Sequence, residues 1–527
     1  MPIRGLGPMQ PGFGQPGSSF AATQAFDRGR ALHAAGKLEP AMAAYRQAVA
    51  LKPDFAGAIL SLGIALKQSG RVNEALKAYR RAIAVAPDLA EAHYNLAIVL
   101  DTVGCHGQAA DSYRRAIDLK PDFAEAYNNL GRDLQAAGET DAAETAFRRA
   151  IEIKPDHLGA MVNLAGALNE QRRHGQAKAV CRQALKRDGN FVPALQRLAE
   201  SYLGLEQAEQ ALAAARRAVK AGPSSLDAAD LVVRALRQLG RDGDIADAYQ
   251  QAVLRNPASA KAHQNLALHH LDRGALEAAL EVSENYLARE PGDTGALAMK
   301  ATILAELGDD AALAPLLDLD GLIGRYECPL PPGYDDMGAF NDALAGHVLG
   351  HPSLVPSPKG RSTRAGRHTG SLLIDPKGPI EALEKIILAN VESYRADHPP
   401  TPAHPFLNRT PKFWSLNVWS VVLGEEGYQA PHIHPSGWLS GVYYVEVPSA
   451  VRNAEVSTDG CIEFGRSGHE RRPTADRWLR VFRPQPGLML LFPSYFYHRT
   501  IPSRSEERRI SIAFDVVPLG AEAAFAP

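Results

Sequence analysis

Two histidines one residue apart, His432 and His434, and a third at His498 carry side chains able to hold one divalent metal. On an extended segment, residues i and i+2 face the same way, so the first two imidazoles can converge on one ion. A third donor arriving from a distant strand completes a facial set and leaves coordination positions open for other ligands. Eleven residues after His498 comes Arg509, and Ser511 follows two later. A guanidinium at that point can grip a carboxylate through two parallel hydrogen bonds, and a neighbouring hydroxyl can add another.

These residues need a rigid frame, and the last two hundred residues supply signals for one. Segments 414–423 (WSLNVWSVVL), 439–447 (LSGVYYVEV), 487–492 (GLMLLF) and 509–517 (RISIAFDVV) are rich in aromatic and β-branched residues and bounded by Gly or Pro, which predicts strands. One helix is predicted over roughly 379–394, where Ile380, Leu383, Ile386, Ile387 and Val391 recur at helical spacing. Residues 349–370, rich in Gly, Ser and Arg, read as loop. Several strands without long intervening helices predict a double-stranded β-helix, or jelly roll, with the leading helix packed on one sheet. His432 and His434 then precede one strand, His498 follows another, and Arg509 opens the next.

That order and spacing resemble the signature of the iron(II)- and 2-oxoglutarate-dependent oxygenases. The phrases HxHP…SGVYYV and FPS…H…RISI look like a bacterial subgroup of them, and the resemblance covers about residues 320–520. It implies Fe(II) on His432, His434 and His498, and 2-oxoglutarate whose far carboxylate pairs with Arg509 and Ser511. The commonest form of this site has an acid two residues after the first histidine, where this chain has His434. Three imidazoles are still a reasonable iron(II) set, and a carboxylate such as Glu463 or Asp459 is the alternative third ligand. Trp438, Tyr443 and Tyr444 flank the site, and strand alternation turns at most one of the two tyrosines inward. Asn417 is a further candidate, while His351, His368, His404 and His469 are given no role.

The first 310 residues repeat. Pro53, Pro87, Pro121, Pro155, Pro223, Pro257 and Pro291 are 34 residues apart, save one double interval in which Gly189 takes the missing place. Gly36, Gly70, Gly104, Gly138, Gly240 and Gly274 keep the same period, and so do Ala41, Ala75, Ala109, Ala143, Ala177, Ala211 and Ala279. Aromatics Tyr45, Tyr79, Tyr113 and Phe147 stand four residues after the first four alanines. A small residue lets antiparallel helices approach, the aromatic fills the space beside it, and the proline stops the second helix. This resembles the tetratricopeptide repeat in eight units, and a ninth near Gly295, cut short by Pro315, serves as a cap. At the sixth position of the first helix stand Asn95, Asn129, Asn163 and Asn265, with Asn128 beside one of them. An amide offers donor and acceptor together, so a ladder of them can hold a peptide backbone whatever its side chains. The array is similar to the superhelical repeats of protein O-GlcNAc transferases, which use such a ladder.

Expected, then, is a disordered leader over residues 1–20, an all-α repeat superhelix over 21–317, and an oxygenase jelly roll over 318–527. A formal charge of −2 gives no electrostatic reason to expect nucleic acid or anionic membrane as partner. No window approaches eighteen consecutive apolar residues, so no membrane-spanning helix is expected. Four cysteines far apart argue against a disulfide framework and a thiolate zinc site, and suit a reducing cytoplasm. GxSxG, GxxxxGK[ST], HExxH and a strand-linked GxGxxG are missing. The functional expectation is hydroxylation of a protein or peptide side chain held by the repeat groove. Two other functions use the same residues: an adaptor whose oxygenase domain only binds ligand, and a three-histidine dioxygenase acting on a small molecule.

Overall fold

A computed structural model of the chain describes residues 16–357, 362–374, 376–402, 404–469 and 474–519. The chain divides into two compact units, Met1–Pro155 and Asp156–Pro527.

In the first unit the 34-residue period becomes antiparallel helix pairs: Pro16–Ala34 with Leu38–Leu51, Ala56–Gln68 with Val72–Val85, Ala90–Thr102 with His106–Leu119, and Ala124–Ala136 with Thr140–Ile153. The recurrent alanines Ala41, Ala75, Ala109 and Ala143 are fully buried, as are Tyr79 and Phe147. Close approach is what the spacing buys: a Cβ placed on Gly131 would lie 2.6 Å from Phe147 Cε1. The turn glycines Gly36, Gly70, Gly104 and Gly138 have φ between 72° and 84°, the left-handed region that ends one helix and starts the next. Of the expected leader, residues 1–15 lie outside the described residues. Its last part, 16–20, is the start of the first helix.

The second unit continues with Leu158–Glu170 and His174–Arg187, Val192–Gly204 and Ala208–Ala221, Leu226–Gln238 and Ile245–Arg255, and Ala260–Asp272 and Leu276–Leu287. Where the glycine period lapses, Arg172 and Glu206 take the same positive φ at 60° and 57°. Thr294–Leu307 then pairs with a single turn, Asp310–Leu313, and Pro315 follows it.

Beyond the repeats the described residues form ten strands: β1 Gly324–Glu327, β2 Val355–Pro356, β3 Thr363–His368, β4 Trp414–Gln429, β5 Leu439–Glu446, β6 Ile462–Phe464, β7 Arg480–Phe482, β8 Leu488–Pro493, β9 His498–Thr500 and β10 Arg509–Pro518. Seven form one sheet in the order β1-β8-β5-β10-β4-β3-β2, and three form another, β7-β6-β9. All the recorded pairings are antiparallel, as a jelly roll requires. The four expected strands are β4, β5, β8 and β10, adjacent at the centre of the large sheet. The expected helix is Ile380–Asp397. Two readings are corrected. The stretch taken as loop contains β2 and β3, and β3 holds its place despite its polar sequence because its backbone bonds to β4 on one side and to the short edge strand β2 on the other. A second helix, Met337–Leu349, also packs here; Tyr443 donates to its Asn341 Oδ1 at 2.7 Å.

The core is continuous with the last repeat. Leu297, Leu304, Leu313 and Leu316 belong to the same buried cluster as Phe340, Ile387, Tyr443 and Phe464. Tyr495 donates its hydroxyl to Leu316 O at 2.7 Å, and Thr294 Oγ1 donates to Gly437 O at 3.0 Å.

Candidate functional site

The segment carrying His432 and His434 is tied into the small sheet. His432 and His498 exchange backbone hydrogen bonds of 3.1 and 3.0 Å, and His434 N donates to Ser494 O at 3.0 Å. This pairing brings residues 66 positions apart in sequence face to face, so that the ligand atoms of His432, His434 and His498 all lie within 4.8 Å of one another. Their ring centroids are 5.2, 4.2 and 5.1 Å apart.

Each ring is held from behind through Nδ1. His432 Nδ1 lies 2.9 Å from Ala430 O, and His498 Nδ1 lies 3.1 Å from Phe496 O. A carbonyl only accepts, so these two nitrogens carry the proton and both Nε2 atoms present lone pairs. His434 Nδ1 lies 2.7 Å from Asp515 Oδ1, which also accepts from Ser440 Oγ at 2.7 Å. Burial makes the protonated rings unfavourable: His432 is pushed down to about 3, with His434 beside it contributing, and His498 falls well below the ordinary imidazole range. Imidazole lone pairs such as those of His432 and His498 are what a metal ion stabilises, and carboxylate or carbonyl partners on the far nitrogens are the usual support for such ligands.

Asp515 is the functional residue that sequence reasoning missed. It lies six residues after Arg509 on β10, so alternation gives Arg509, Ser511 and Asp515 one face of the strand. A lone acid in RISIAFDVV, at the parity of Arg509 and Ser511, was the available signal. Asp515 thus places a carboxylate behind His434 and not in its stead. Glu463 is turned elsewhere: it sits on β6 opposite Arg499, with its Oε1 accepting from Arg499 Nε at 2.7 Å and Arg466 Nε at 2.8 Å, on the face away from His498. Asp459 lies exposed on the turn before β6.

Arg509 is buried, with 6% of its surface exposed. Its Nη1 donates to Gly460 O at 2.6 Å, and its guanidinium carbon is 5.0 Å from the Tyr444 ring centroid. Tyr444 pairs with Ser511 in the β5–β10 ladder, which puts it on this face and Tyr443 on the other. Arg509 Nε has no hydrogen-bond partner among the described residues, the Tyr444 hydroxyl has no hydrogen-bonding neighbour there but the Arg509 guanidinium, and no carboxylate there forms an ion pair with Arg509. A buried cation without a counter-charge is costly, so this corner has the chemistry of a carboxylate subsite. Trp419 stands near the other end, its ring centroid 5.5 Å from that of His434. Phe464 and Phe492 wall His498 at 5.9 and 4.8 Å. Trp438 stacks on Phe406 at 5.2 Å, and Asn417 is exposed opposite Asp515 in register.

In the repeats the four asparagines are half-buried. Asn95 Nδ2 donates to Glu91 O at 2.8 Å, Asn129 Nδ2 to Tyr94 Oη at 3.2 Å, and Asn265 Nδ2 to Asp230 Oδ1 at 2.8 Å, while Asn163 also has a partner. An amide has two donor hydrogens, so Asn95, Asn129 and Asn265 each commit one within the array, and Asn129 Oδ1 also accepts from Asn128 Nδ2 at 3.3 Å.

Comparison with known proteins places these segments. Residues 417–515 match the family described as "Putative 2OG-Fe(II) oxygenase", a span that contains all three histidines, Arg509, Ser511 and Asp515. Tetratricopeptide-repeat families match residues 29–70, 65–104, 90–123, 128–190 and 233–294. No curated protein matches the sequence. Among solved structures, MamA is 26% identical, covering 32% of this chain and 92% of its own, with a TM-score of 0.30. YrrB, described as a TPR protein with an unusual peptide-binding site, is 18% identical over 35% of this chain and 95% of its own, with a TM-score of 0.32. A tetratricopeptide repeat protein from Parabacteroides merdae is 15% identical over 47% of this chain and 99% of its own, with a TM-score of 0.40. The chain therefore joins tetratricopeptide repeats to a C-terminal domain of the 2OG-Fe(II) oxygenase family.

Proposed function

We propose that the C-terminal domain is an Fe(II)- and 2-oxoglutarate-dependent dioxygenase that hydroxylates a side chain of a protein or peptide held by the repeats. The observation that carries this reading is the pairing, within one domain, of three converging imidazoles with a buried arginine that has no acid partner among the described residues. The donor set fits the metal, since imidazole suits iron(II) and three ligands leave positions open. The orphan donors of Arg509 and Tyr444 fit a carboxylate.

When bound, iron(II) and 2-oxoglutarate together supply a two-electron oxidation of a C–H bond by dioxygen, the cofactor leaving as succinate and carbon dioxide. The protein's part is positioning. Ala430 O, Phe496 O and Asp515 fix the three ring tautomers so that His432, His434 and His498 hold the metal through Nε2. Arg509 pairs with the far carboxylate of 2-oxoglutarate, Tyr444 donates its hydroxyl to it, and Ser511 adds a second hydroxyl. Phe464 and Phe492 exclude water behind His498. Trp419, half-buried beside His434, is placed to orient the target side chain. Asn95, Asn129, Asn163 and Asn265 retain enough donor and acceptor capacity to hold a peptide backbone. No helix among the described residues is long and apolar enough to cross a membrane, and the four cysteines are free, which accords with work in a reducing compartment such as the cytoplasm.

The test is 2-oxoglutarate-dependent succinate release by the full-length protein with Fe(II) and a peptide library, with products read by mass spectrometry for one added oxygen atom. His432→Ala and His498→Ala are expected to abolish both signals, and turnover surviving either substitution overturns the metal assignment. Replacing the four asparagines together with alanine is expected to raise KM for peptide and leave peptide-independent 2-oxoglutarate turnover unchanged. Activity indifferent to Arg509→Ala would instead support the three-histidine small-molecule enzyme.

A further inference from the structure

A second cluster of metal-ligating side chains lies in the first unit, apart from the oxygenase site. Asp101 is near the end of the helix Ala90–Thr102, His106 opens His106–Leu119, and Asp133 lies inside Ala124–Ala136. Their ligand atoms are all within 4.8 Å of one another. His106 Nδ1 is 3.0 Å from Asp101 Oδ1 and 3.9 Å from Asp133 Oδ1. Asp133 is only 4% exposed, and no hydrogen-bond donor reaches its Oδ2.

The repeat itself shows how unusual this acid is. One period away on either side, the place of Asp133 is taken by Val99 and Ala167, both buried. Two periods on, Asn169, His174 and Ser201 occupy the places of Asp101, His106 and Asp133. There the groups satisfy one another: Asn169 Oδ1 accepts from His174 Nδ1 at 3.2 Å and from Ser201 Oγ at 3.0 Å. In the Asp101–His106–Asp133 version the amide and the hydroxyl are both replaced by carboxyl groups. The one imidazole donor is taken by Asp101, Asp133 lies 3.9 Å from it and within hydrogen-bond reach only of the Asp101 carboxyl, and the set is short of positive charge. Arg132 is near enough to temper the deficit without bonding to either acid. A proton is the simplest remedy, because burial and the neighbouring Asp101 push the Asp133 carboxyl up to about 8. A protonated Asp133, however, does only what Ser201 does, at a larger desolvation cost.

We propose that Asp101, His106 and Asp133 form a second divalent-metal site, taking a zinc-class ion that ties three successive helices of the array together. One imidazole and two carboxylates are a donor set such ions accept. Bonds of ~2.0–2.2 Å in tetrahedral arrangement separate ligand atoms by about 3.3–3.5 Å, a spacing that the observed 3.0 and 3.9 Å bracket. His106 and Asp101 are 37% and 25% exposed, so a hydrated ion reaches the site from solvent while Asp133 closes its buried side.

The experiment is equilibrium dialysis of the metal-free full-length protein against Zn(II), with metal content measured per chain. The informative variant is Asp101→Asn/Asp133→Ser, which copies the self-satisfied twin and is therefore expected to fold, as circular dichroism will check. It is expected to bind one equivalent fewer than the wild type, and zinc is expected to raise the melting temperature of repeat helices in the wild type but not in this variant. His106→Gln is a second variant expected to lose the same equivalent. The variant His432→Ala/His434→Ala/His498→Ala is expected to keep it. Equal zinc in the wild type and in Asp101→Asn/Asp133→Ser overturns the proposal, and so does complete loss of zinc from the folded three-histidine variant. Zinc content unaffected by removing the three histidines counts against the catalytic reading and not against this one.

Discussion

Asp515→Asn is the sharpest test of whether a carboxylate behind His434 tunes the proposed metal site. In the wild type both hydrogen bonds to this residue, from His434 Nδ1 and Ser440 Oγ, fall on the single oxygen Oδ1. The carbonyl of an asparagine can therefore accept both, and the substitution removes charge while keeping shape. A hydrogen bond to a charged acceptor contributes ~1.5–3 kcal/mol against ~0.5–1.5 kcal/mol for a neutral one, a difference of ~1–1.5 kcal/mol. At about 1.4 kcal/mol per tenfold, His434 is expected to hold metal about tenfold less tightly, the lower edge of the ~10–100-fold range for such supporting groups. The assay is anaerobic titration with Fe(II), and with Co(II) to record its absorption bands. Both are run in the Asp101→Asn/Asp133→Ser background so that one site is read. Urea denaturation serves as the control for folding. If Asp515→Asn changes the dissociation constant by less than about twofold while His434→Ala abolishes binding, Asp515 carries no electrostatic role, and the charge argument is refuted.

Three further outcomes are expected. Arg509→Gln should weaken 2-oxoglutarate binding by about 100-fold, because two charge-assisted bonds of ~1.5 kcal/mol each are lost; calorimetry reads the affinity, and the cofactor-free melting temperature should not fall, since an unpaired buried cation is removed. Gly131→Ala should destabilise the array by ~1–3 kcal/mol despite the better helix propensity of alanine, as the new Cβ meets Phe147 at 2.6 Å; denaturant unfolding followed by helical circular dichroism checks it. Leu297→Ala should cost ~2–5 kcal/mol and lower the unfolding midpoint of the β domain, followed through its tryptophans, because Leu297 is 2% exposed within the shared core.

Period and spacing are properties a sequence carries on its face, and here they went far. The 34-residue recurrence of alanine, glycine and proline determined the helix pairs, since each unit packs only on its neighbours and every unit must solve the same contact. The apolar segments determined β4, β5, β8 and β10, whose side chains alternate against a buried core. Chain order brought His432, His434, His498 and Arg509 into one hypothesis. Tertiary structure decided what depends on pairing between distant segments. The strands β6, β7 and β9 have three residues each, too few for alternation to show, and β3 is polar enough to read as loop; backbone hydrogen bonds hold all of them. Which tyrosine faces Arg509 was settled by the Ser511–Tyr444 register, and the ion pairs of Glu463 with Arg466 and Arg499 removed that acid from the candidate ligands. Asp515 stood in plain sight at the parity of Arg509. Only the approach of the 432–434 segment to the end of β10 revealed that a carboxylate stands behind the His434 imidazole.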